Sequence, residues 1–239
     1  MNIVLLYKII NKFPKSFWGV LFLMLLYSCN NGVNDNTSQT NNDSLRAAHI
    51  QDSLETVKRE AAEERIRKIE LARKDSLKHL QDSINAIKVA SLIKKFRISN
   101  DDFSTKIWYE HNNSPRYRNS NGFYFYFAVD ENIGVGPLRM VLQYYDDDWL
   151  FVKNVIFSID GEAYFFSPED IKRDNNGGFI WEWFDEAIDY QSDLVKALIS
   201  ANSVKIKLNG SNYYDTRTLS SKQLVALKET FELYNLLKN

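Results

Sequence analysis

Few residues in this chain could do chemistry, and the first of them is Cys29, the only cysteine among the 239 residues. A lone cysteine cannot form a disulfide within its own chain, so it is a free thiol, an intermolecular bridge or an acylation site. An apolar run, Phe17–Tyr27, lies just before it, and Lys8, Lys12 and Lys15 form a basic leader. This run of about 11 residues suits a signal-peptide core and is too short for a spanning helix, which needs roughly 20 residues. The position of Cys29 therefore favours acylation.

The residues Leu26-Tyr27-Ser28-Cys29 resemble the lipobox of bacterial lipoprotein precursors. Leu26 and Ser28 match the pattern, whereas Tyr27 is bulkier than its usual occupant. The resemblance implies that residues 1–28 are removed and that Cys29 receives a diacylglycerol on sulfur and an acyl chain, such as palmitate, on its new amine. Several acyl chains together give a stable membrane anchor, whereas a single chain binds only marginally.

Asn30 follows the cysteine. In the sorting pattern of Gram-negative lipoproteins an Asp at this position retains the protein in the inner membrane, so the resemblance implies the outer membrane of the cell envelope. The alternative is an uncleaved membrane helix over residues 3–27. Three lysines and Pro14 interrupt that stretch, which argues against it.

Other residues of catalytic type are sparse. His111 is the one histidine after the helical region, in a polar stretch where we expect a solvent-exposed loop residue and no general base. Asp146–Asp148 lacks the spacing and glycine of a calcium loop and is expected to form a hydrated turn. Nothing in the spacing of Glu162, Glu182 and Asp185 fixes an acid pair. We therefore predict no catalytic residue, no metal site and no cofactor.

Aromatic residues are the unusual feature of the C-terminal part. Such residues either cover both faces of central strands or form a platform for a sugar, a peptide or another protein. We expect the exposed members to be those that alternate with more apolar neighbours. They are Tyr124, Tyr126, Tyr145 and Tyr214, and they are the candidates for a binding surface if the aromatic residues form a platform.

Two segments must hold that domain away from the anchor. Residues 29–43 contain almost nothing apolar after the cysteine and are expected to be a flexible tether. Residues 44–95 contain no Gly or Pro and are rich in Ala, Leu, Glu, Lys and Arg, which predicts a helical stalk. Apolar residues at coiled-coil spacing occur in two stretches that are out of phase, so both a self-associating coiled coil and a single solvated helix remain open. The recurring Asp-Ser-Leu or Asp-Ser-Ile is similar to runs that follow the anchor in lipoproteins of the Bacteroidetes type.

The period of the pattern changes to that of strands in residues 96–239. Strands are expected over 123–129, 138–145, 149–159, 162–166, 179–184 and 204–208, with hairpin turns at Asp160-Gly161 and Asn209-Gly210. Helices are expected over 192–201 and after a capping box formed by Ser220 and Gln223. The fold class is therefore α+β: a signal peptide, a helical stalk, and an antiparallel β-rich domain, a small sandwich or curled sheet, with a packed C-terminal helix. The domain is similar to uncharacterised domains of exported bacterial lipoproteins, a resemblance that implies no activity.

The sequence thus predicts a lipid-anchored envelope lipoprotein that presents a non-catalytic binding or assembly domain on a stalk. Its expected partners are the membrane, through lipid on Cys29, a protein or envelope polymer, and other copies of the stalk. The 30 basic and 31 acidic residues nearly cancel, which argues against nucleic acid. The alternative is an envelope hydrolase whose active site the sequence does not reveal.

Overall fold

The computed structural model of the chain describes residues 40–100 and 102–238. The predicted signal peptide, Cys29 and the tether up to residue 39 lie outside the described residues. Contacts divide the chain into two units, the first ending at Ile66 and the second beginning at Arg67.

Helix α1 runs from Thr40 to Ile93, so it begins inside the segment expected to be a tether and confirms a long helix in the predicted stalk. Three serines of its Asp-Ser-Leu/Ile repeats, Ser53, Ser76 and Ser83, donate their hydroxyls to the backbone carbonyl four residues earlier, as Ser53 does to His49 at 2.8 Å. In the first unit Ile50, Leu54 and Val57 have exposed fractions of 58, 50 and 61%. Apolar side chains along this part of the helix are therefore in contact with solvent.

Within residues 96–100 and 102–238 of the C-terminal domain there are eleven strands in two antiparallel sheets, which confirms the predicted α+β class. The strands are β1 Phe96–Asn100, β2 Lys106–His111, β3 Gly122–Asp130, β4 Gly134–Val135, β5 Leu138–Asp146, β6 Asn154–Ile159, β7 Glu162–Phe166, β8 Lys172–Asn176, β9 Phe179–Ile188, β10 Val204–Asn209 and β11 Tyr214–Thr218. The larger sheet has seven strands in the order β1-β2-β3-β5-β9-β8, with β4 paired to β3. The smaller sheet has four, in the order β11-β10-β6-β7.

The core lies between one face of the larger sheet and two other layers. Alternation along β3 sends Phe123, Phe125 and Phe127 to the core side, where each is at most 2% exposed. Phe123 meets Phe157 of the smaller sheet with ring centroids 5.1 Å apart. Phe127 meets Tyr234 of the C-terminal helix at 5.4 Å. The smaller sheet and that helix therefore cover different parts of the same face.

Short-range signals in the sequence set the N-terminal ends of the two helices of the C-terminal domain. Helix α2, Asp193–Ser200, is capped by the Ser192 hydroxyl, which accepts from the Val195 backbone N–H. Helix α3, Ser221–Lys238, has the predicted capping box: Ser220 Oγ accepts from the Gln223 N–H at 3.3 Å. Gln223 Oε1 accepts in return from the Ser220 N–H at 2.9 Å.

The hairpin predicted at Asp160-Gly161 is also confirmed. Both residues have positive φ, 49° and 101°, which matches the twist of the two strands that they join. The side chain of Asp160 accepts from the backbone N–H groups of Asn202 and Ser203. These hydrogen bonds lower the pKa of Asp160. The turn is thereby tied to the segment that leads into β10.

The prediction of a strand over 149–159 is wrong for its first half, because β6 begins only at Asn154. The backbone N–H groups of Phe151 and Val152 donate to the carboxylate of Glu182, at 2.6 and 2.8 Å, and not to a neighbouring strand. Phe151 adopts a φ of 51° to make this turn. The carboxylate also accepts from Arg173 Nε at 3.0 Å, and the side chain of Glu182 is fully buried. A buried acid thus replaces strand pairing at this point.

Candidate functional site

The outer face of the seven-stranded sheet, opposite the core, carries aromatic residues from four neighbouring strands. Strand register places them together, since Tyr145 pairs with Trp181 and Tyr126 pairs with Arg139 and Glu110. We call this set the aromatic face: Trp108, Tyr126, Tyr145, Phe179, Trp181 and Trp183.

An acid at the middle of this face organises its polar groups. Asp185 accepts from the Tyr126 hydroxyl at 2.7 Å, from Arg139 Nε at 2.8 Å and from Arg118 Nη2 at 3.0 Å. Its side chain is only 13% exposed. Burial and then the hydrogen bond to Asp185 raise the pKa of Tyr126. The phenol is therefore neutral at physiological pH and donates its hydrogen bond to the Asp185 carboxylate, as part of a connected polar cluster.

The connection between β2 and β3 covers part of the outer face. Arg118, in that connection, donates from Nη1 to the Tyr124 hydroxyl at 3.0 Å. Tyr124 is only 4% exposed, so the prediction that its side chain is exposed is wrong. Burial raises the pKa of Tyr124 to about 12. The alternation of β3 correctly gives Tyr124 and Tyr126 a common face, but it does not show that a loop covers that face.

The part of the aromatic face on β5 and β9 is open. Tyr145 stacks on Phe179 with ring centroids 5.3 Å apart and an angle of 22° between the rings. Phe179 is 47% exposed, and Tyr145, Trp181 and Trp183 are half-buried. At the other side, Trp108 lies 5.4 Å from Tyr126, which is also half-buried. Flat apolar surface therefore remains accessible over several strands.

Tyr214 is exposed as expected, at 61%, but it lies on the smaller sheet. Lys207 Nζ of the adjacent strand lies 4.1 Å from the centre of its ring. The four tyrosines of the predicted surface are therefore divided between two sheets, and three of them lie on the outer face of the larger one. The tryptophans of β9, which the prediction of exposed residues omitted, lie beside Tyr145. Their alternation with Glu182 and Phe184 was the available signal.

His111 is not the exposed loop residue that the sequence suggested. It ends β2, is 3% exposed, and its Nε2 lies 2.9 Å from Glu229 Oε2 of helix α3. Its Nδ1 accepts from the Asn113 backbone N–H at 3.1 Å, so Nε2 carries the proton that Glu229 accepts. Lys95 Nζ donates to the other oxygen of Glu229. Both ring nitrogens are therefore engaged, and Nε2 joins the sheet to the helix.

The carboxylates considered as an acid pair are separated. Glu182 points to the core side of β9 and Asp185 to the outer face, because residues three apart on a strand lie on opposite faces. Glu162 is exposed on β7 of the other sheet. Asp146–Asp148 is exposed where β5 ends. Between Thr40 and Lys238, Asp101 apart, no three His, Cys, Asp or Glu side chains are placed as ligands of a common metal ion.

None of the described helices is both long and apolar enough to cross a membrane. Compared with models of known protein families, with curated proteins and with solved structures, the chain matches none.

Proposed function

We propose that the chain is a bacterial lipoprotein, anchored through lipid on Cys29, that presents its C-terminal domain as a non-catalytic binding or assembly module in the cell envelope. The anchor rests on sequence: a basic leader, a short apolar core, Leu26 and Ser28, and a single cysteine. Asn30 favours the outer membrane. Helix α1 fits the role of a stalk between the anchor and the domain.

The observation that carries the binding role is the open part of the aromatic face. Trp and Tyr are the side chains that contribute most to binding at protein interfaces, because they bury a large rigid surface and keep a polar group. Here Tyr145, Phe179, Trp181 and Trp183 lie partly exposed on neighbouring strands. The Asp185 cluster supports the same sheet with charged hydrogen bonds. The partner that fits is a protein segment or an envelope polymer with a flat, mostly apolar face.

The alternative, an envelope hydrolase centred on His111, has less support. A general base needs a ring nitrogen that can reach a nucleophile. In His111 one nitrogen faces Glu229 and the other accepts a backbone N–H, within a side chain that is almost fully buried. The contacts of His111 are those of a core residue.

The anchor is tested by Cys29→Ser in the cells that make the protein. We expect loss of labelling by a palmitate analogue and release of the protein from the membrane fraction, because the acylation site is gone. Retention of the variant in the membrane with its labelling unchanged would refute the anchor. Ser28→Ala, which keeps a small residue before the cysteine, serves as the matched control and should still be processed.

The binding role is tested by capture of partners with the full-length protein from its own membranes after mild crosslinking. We expect Trp181→Ala with Trp183→Ala to lose the captured partner or polymer. Phe165→Ala removes an aromatic ring that is 78% exposed on the smaller sheet and should keep it. Equal capture by both variants, or no partner with either, would count against the aromatic face as the binding surface.

A further inference from the structure

A cleft of about 240 Å³ opens at one end of the domain, between the two sheets. It is bordered by β3 and β5 of the larger sheet, β10 and β11 of the smaller sheet, and the first turn of α3. Its volume is well above the roughly 10–15 Å³ that one water needs, and just below the pockets of about 300–1,000 Å³ that hold drug-sized ligands. The cleft is therefore sized for a small molecule or for the end of a larger one.

Five of the eleven residues that line the cleft are apolar, and one of the others is charged. Phe123, Leu142, Ile206, Leu208 and Leu219 contribute the apolar surface. Arg217 is the one charged residue of the lining, all of which is described, and the remaining lining residues are neutral. An occupant with an apolar body and a single group complementary to Arg217 would match this distribution.

Register fixes the direction of Arg217. It pairs with Ile206, whose side chain is 3% exposed, so both point to the inner side of the smaller sheet. Its Nε donates to Asp215 Oδ2, and its guanidinium carbon lies 4.9 Å from the centre of the Tyr144 ring. These two contacts hold the guanidinium in place at the cleft.

One nitrogen of this guanidinium lacks an acceptor. Arg217 Nη1 is buried, and no atom of the described residues accepts a hydrogen bond from it. Arginine stays protonated in proteins, so a buried N–H of this kind is unfavourable unless an acceptor reaches it. The structure thus combines a cleft with a fixed guanidinium in its lining, whose side chain is 25% exposed although Nη1 itself is buried.

We propose that the cleft binds an organic carboxylate, with the carboxylate at the partly exposed guanidinium of Arg217 and a short apolar group against Phe123, Leu142 and Leu219. The guanidinium would repel a cation, and a purely apolar occupant would leave its exposed part without a partner. Asp215 already offsets part of the positive charge, so a monoanion suits the cleft better than a phosphate dianion does. The inference deepens the proposed binding role and rests on it, because it gives a second site of the same domain a ligand class.

The test uses the full chain in detergent and ligand-observed NMR titration with 3-methylbutanoate and its uncharged analogue 3-methylbutanamide. We expect saturable binding of the acid, with the amide at least tenfold weaker. A second pair of probes is N-acetyl-Ala-Leu with a free or an amidated C-terminus. If the peptide with the free C-terminus binds more tightly than 3-methylbutanoate, the natural ligand is the C-terminal end of a protein chain. If 3-methylbutanoate binds more tightly, the natural ligand is a small organic acid.

Arg217→Gln should abolish the preference for the acid. Lys207→Gln removes one positive charge from the outer face of the adjacent strand, 4.1 Å from the Tyr214 ring, and should leave binding unchanged. Equal affinity of acid and amide in the unmodified protein, or no binding of any probe, would overturn the proposal without requiring a variant to fold. Partner capture through Trp181 and Trp183 is scored separately, so failure of the cleft and failure of the aromatic face are distinguishable.

Discussion

Glu182→Gln tests the buried acid that ends strand pairing before β6. The carboxylate holds two backbone N–H groups, at 2.6 and 2.8 Å, and Arg173 Nε at 3.0 Å, within a side chain that is fully buried. The amide keeps one acceptor oxygen but turns an NH₂ group toward donors, and it leaves Arg173 without its counter-charge. The side chain of Arg173 is 36% exposed and stays hydrated, so the loss comes mainly from the buried N–H donors and amounts to about 1–3 kcal/mol.

The free energy of unfolding of a typical domain is about 5–15 kcal/mol, so this loss is large enough to measure. For an m-value of about 2 kcal/mol/M, the urea midpoint should fall by roughly 0.5–1.5 M. The assay is equilibrium urea unfolding of the full chain in detergent, followed by tryptophan fluorescence. Tryptophan is suited to this measurement because Trp149 and Trp183 lie within two residues of the groups that change.

Glu162→Gln makes the same chemical change at an exposed position of β7 and should alter stability by less than about 0.5 kcal/mol. Arg173→Gln, which leaves the buried acid without its counter-charge, should also destabilise strongly. The reasoning is wrong if Glu182→Gln unfolds within about 0.5 kcal/mol of the unmodified protein. It is also wrong if the double variant is no more stable than the two separate losses predict, since groups that share one network should not add.

Two further predictions concern the helices. Burial raises the pKa of Glu229, but hydrogen bonds from Lys95 and His111 outweigh this effect and lower the pKa below its ordinary value of 4.5. The stability that these hydrogen bonds contribute is therefore present above pH 4.5 and is lost as the pH falls through the lowered pKa of the folded state. Glu229→Gln should therefore destabilise at pH 7 by about 1–3 kcal/mol and flatten the acid side of the stability profile, measured by urea unfolding between pH 3 and 7; an unchanged profile would contradict this. In α1, Leu80 and Ile84 are 58% and 41% exposed, and Leu80→Asp with Ile84→Asp should shift the full chain to a smaller species in sedimentation if stalks associate. Gln81→Asp with Asn85→Asp adds the same charges at the same spacing on another side of the helix, and equal sedimentation of both pairs would argue against association through the apolar stripe.

Local patterns predicted much of the fold. The alternation Val204-Lys-Ile-Lys-Leu208 predicted β10, and Ser220 with Gln223 predicted the start of α3, because each signal depends on residues within one turn or one strand. The irregular segment before β6, which the sequence predicted to be part of that strand, was not predictable in this way. Its backbone donors are satisfied by Glu182, thirty residues later in the chain.

The candidate surface was predicted only in part for the same reason. Alternation assigned Tyr124 and Tyr126 to one face of β3, but their exposure depends on Arg118 in a preceding loop and on Asp185 in a strand that is not adjacent in sequence. The burial of His111 likewise depends on Glu229, 118 residues away. Pairing of β5 with β9 brings the tyrosine and tryptophan sets together, and no signal within either strand specifies that pairing.

Strand β8 has a consequence for the proposed anchoring of many copies at one membrane surface. It pairs with β9 on one side only and forms an edge of the larger sheet, so its other side presents unpaired backbone groups that could recruit a strand from a neighbouring copy. All five of its residues, Lys172 to Asn176, are polar and exposed, and three carry charge. Hydrated charges at an edge oppose such pairing, because a second strand would have to displace their water. This edge therefore protects the domain from polymerising into fibres under crowding.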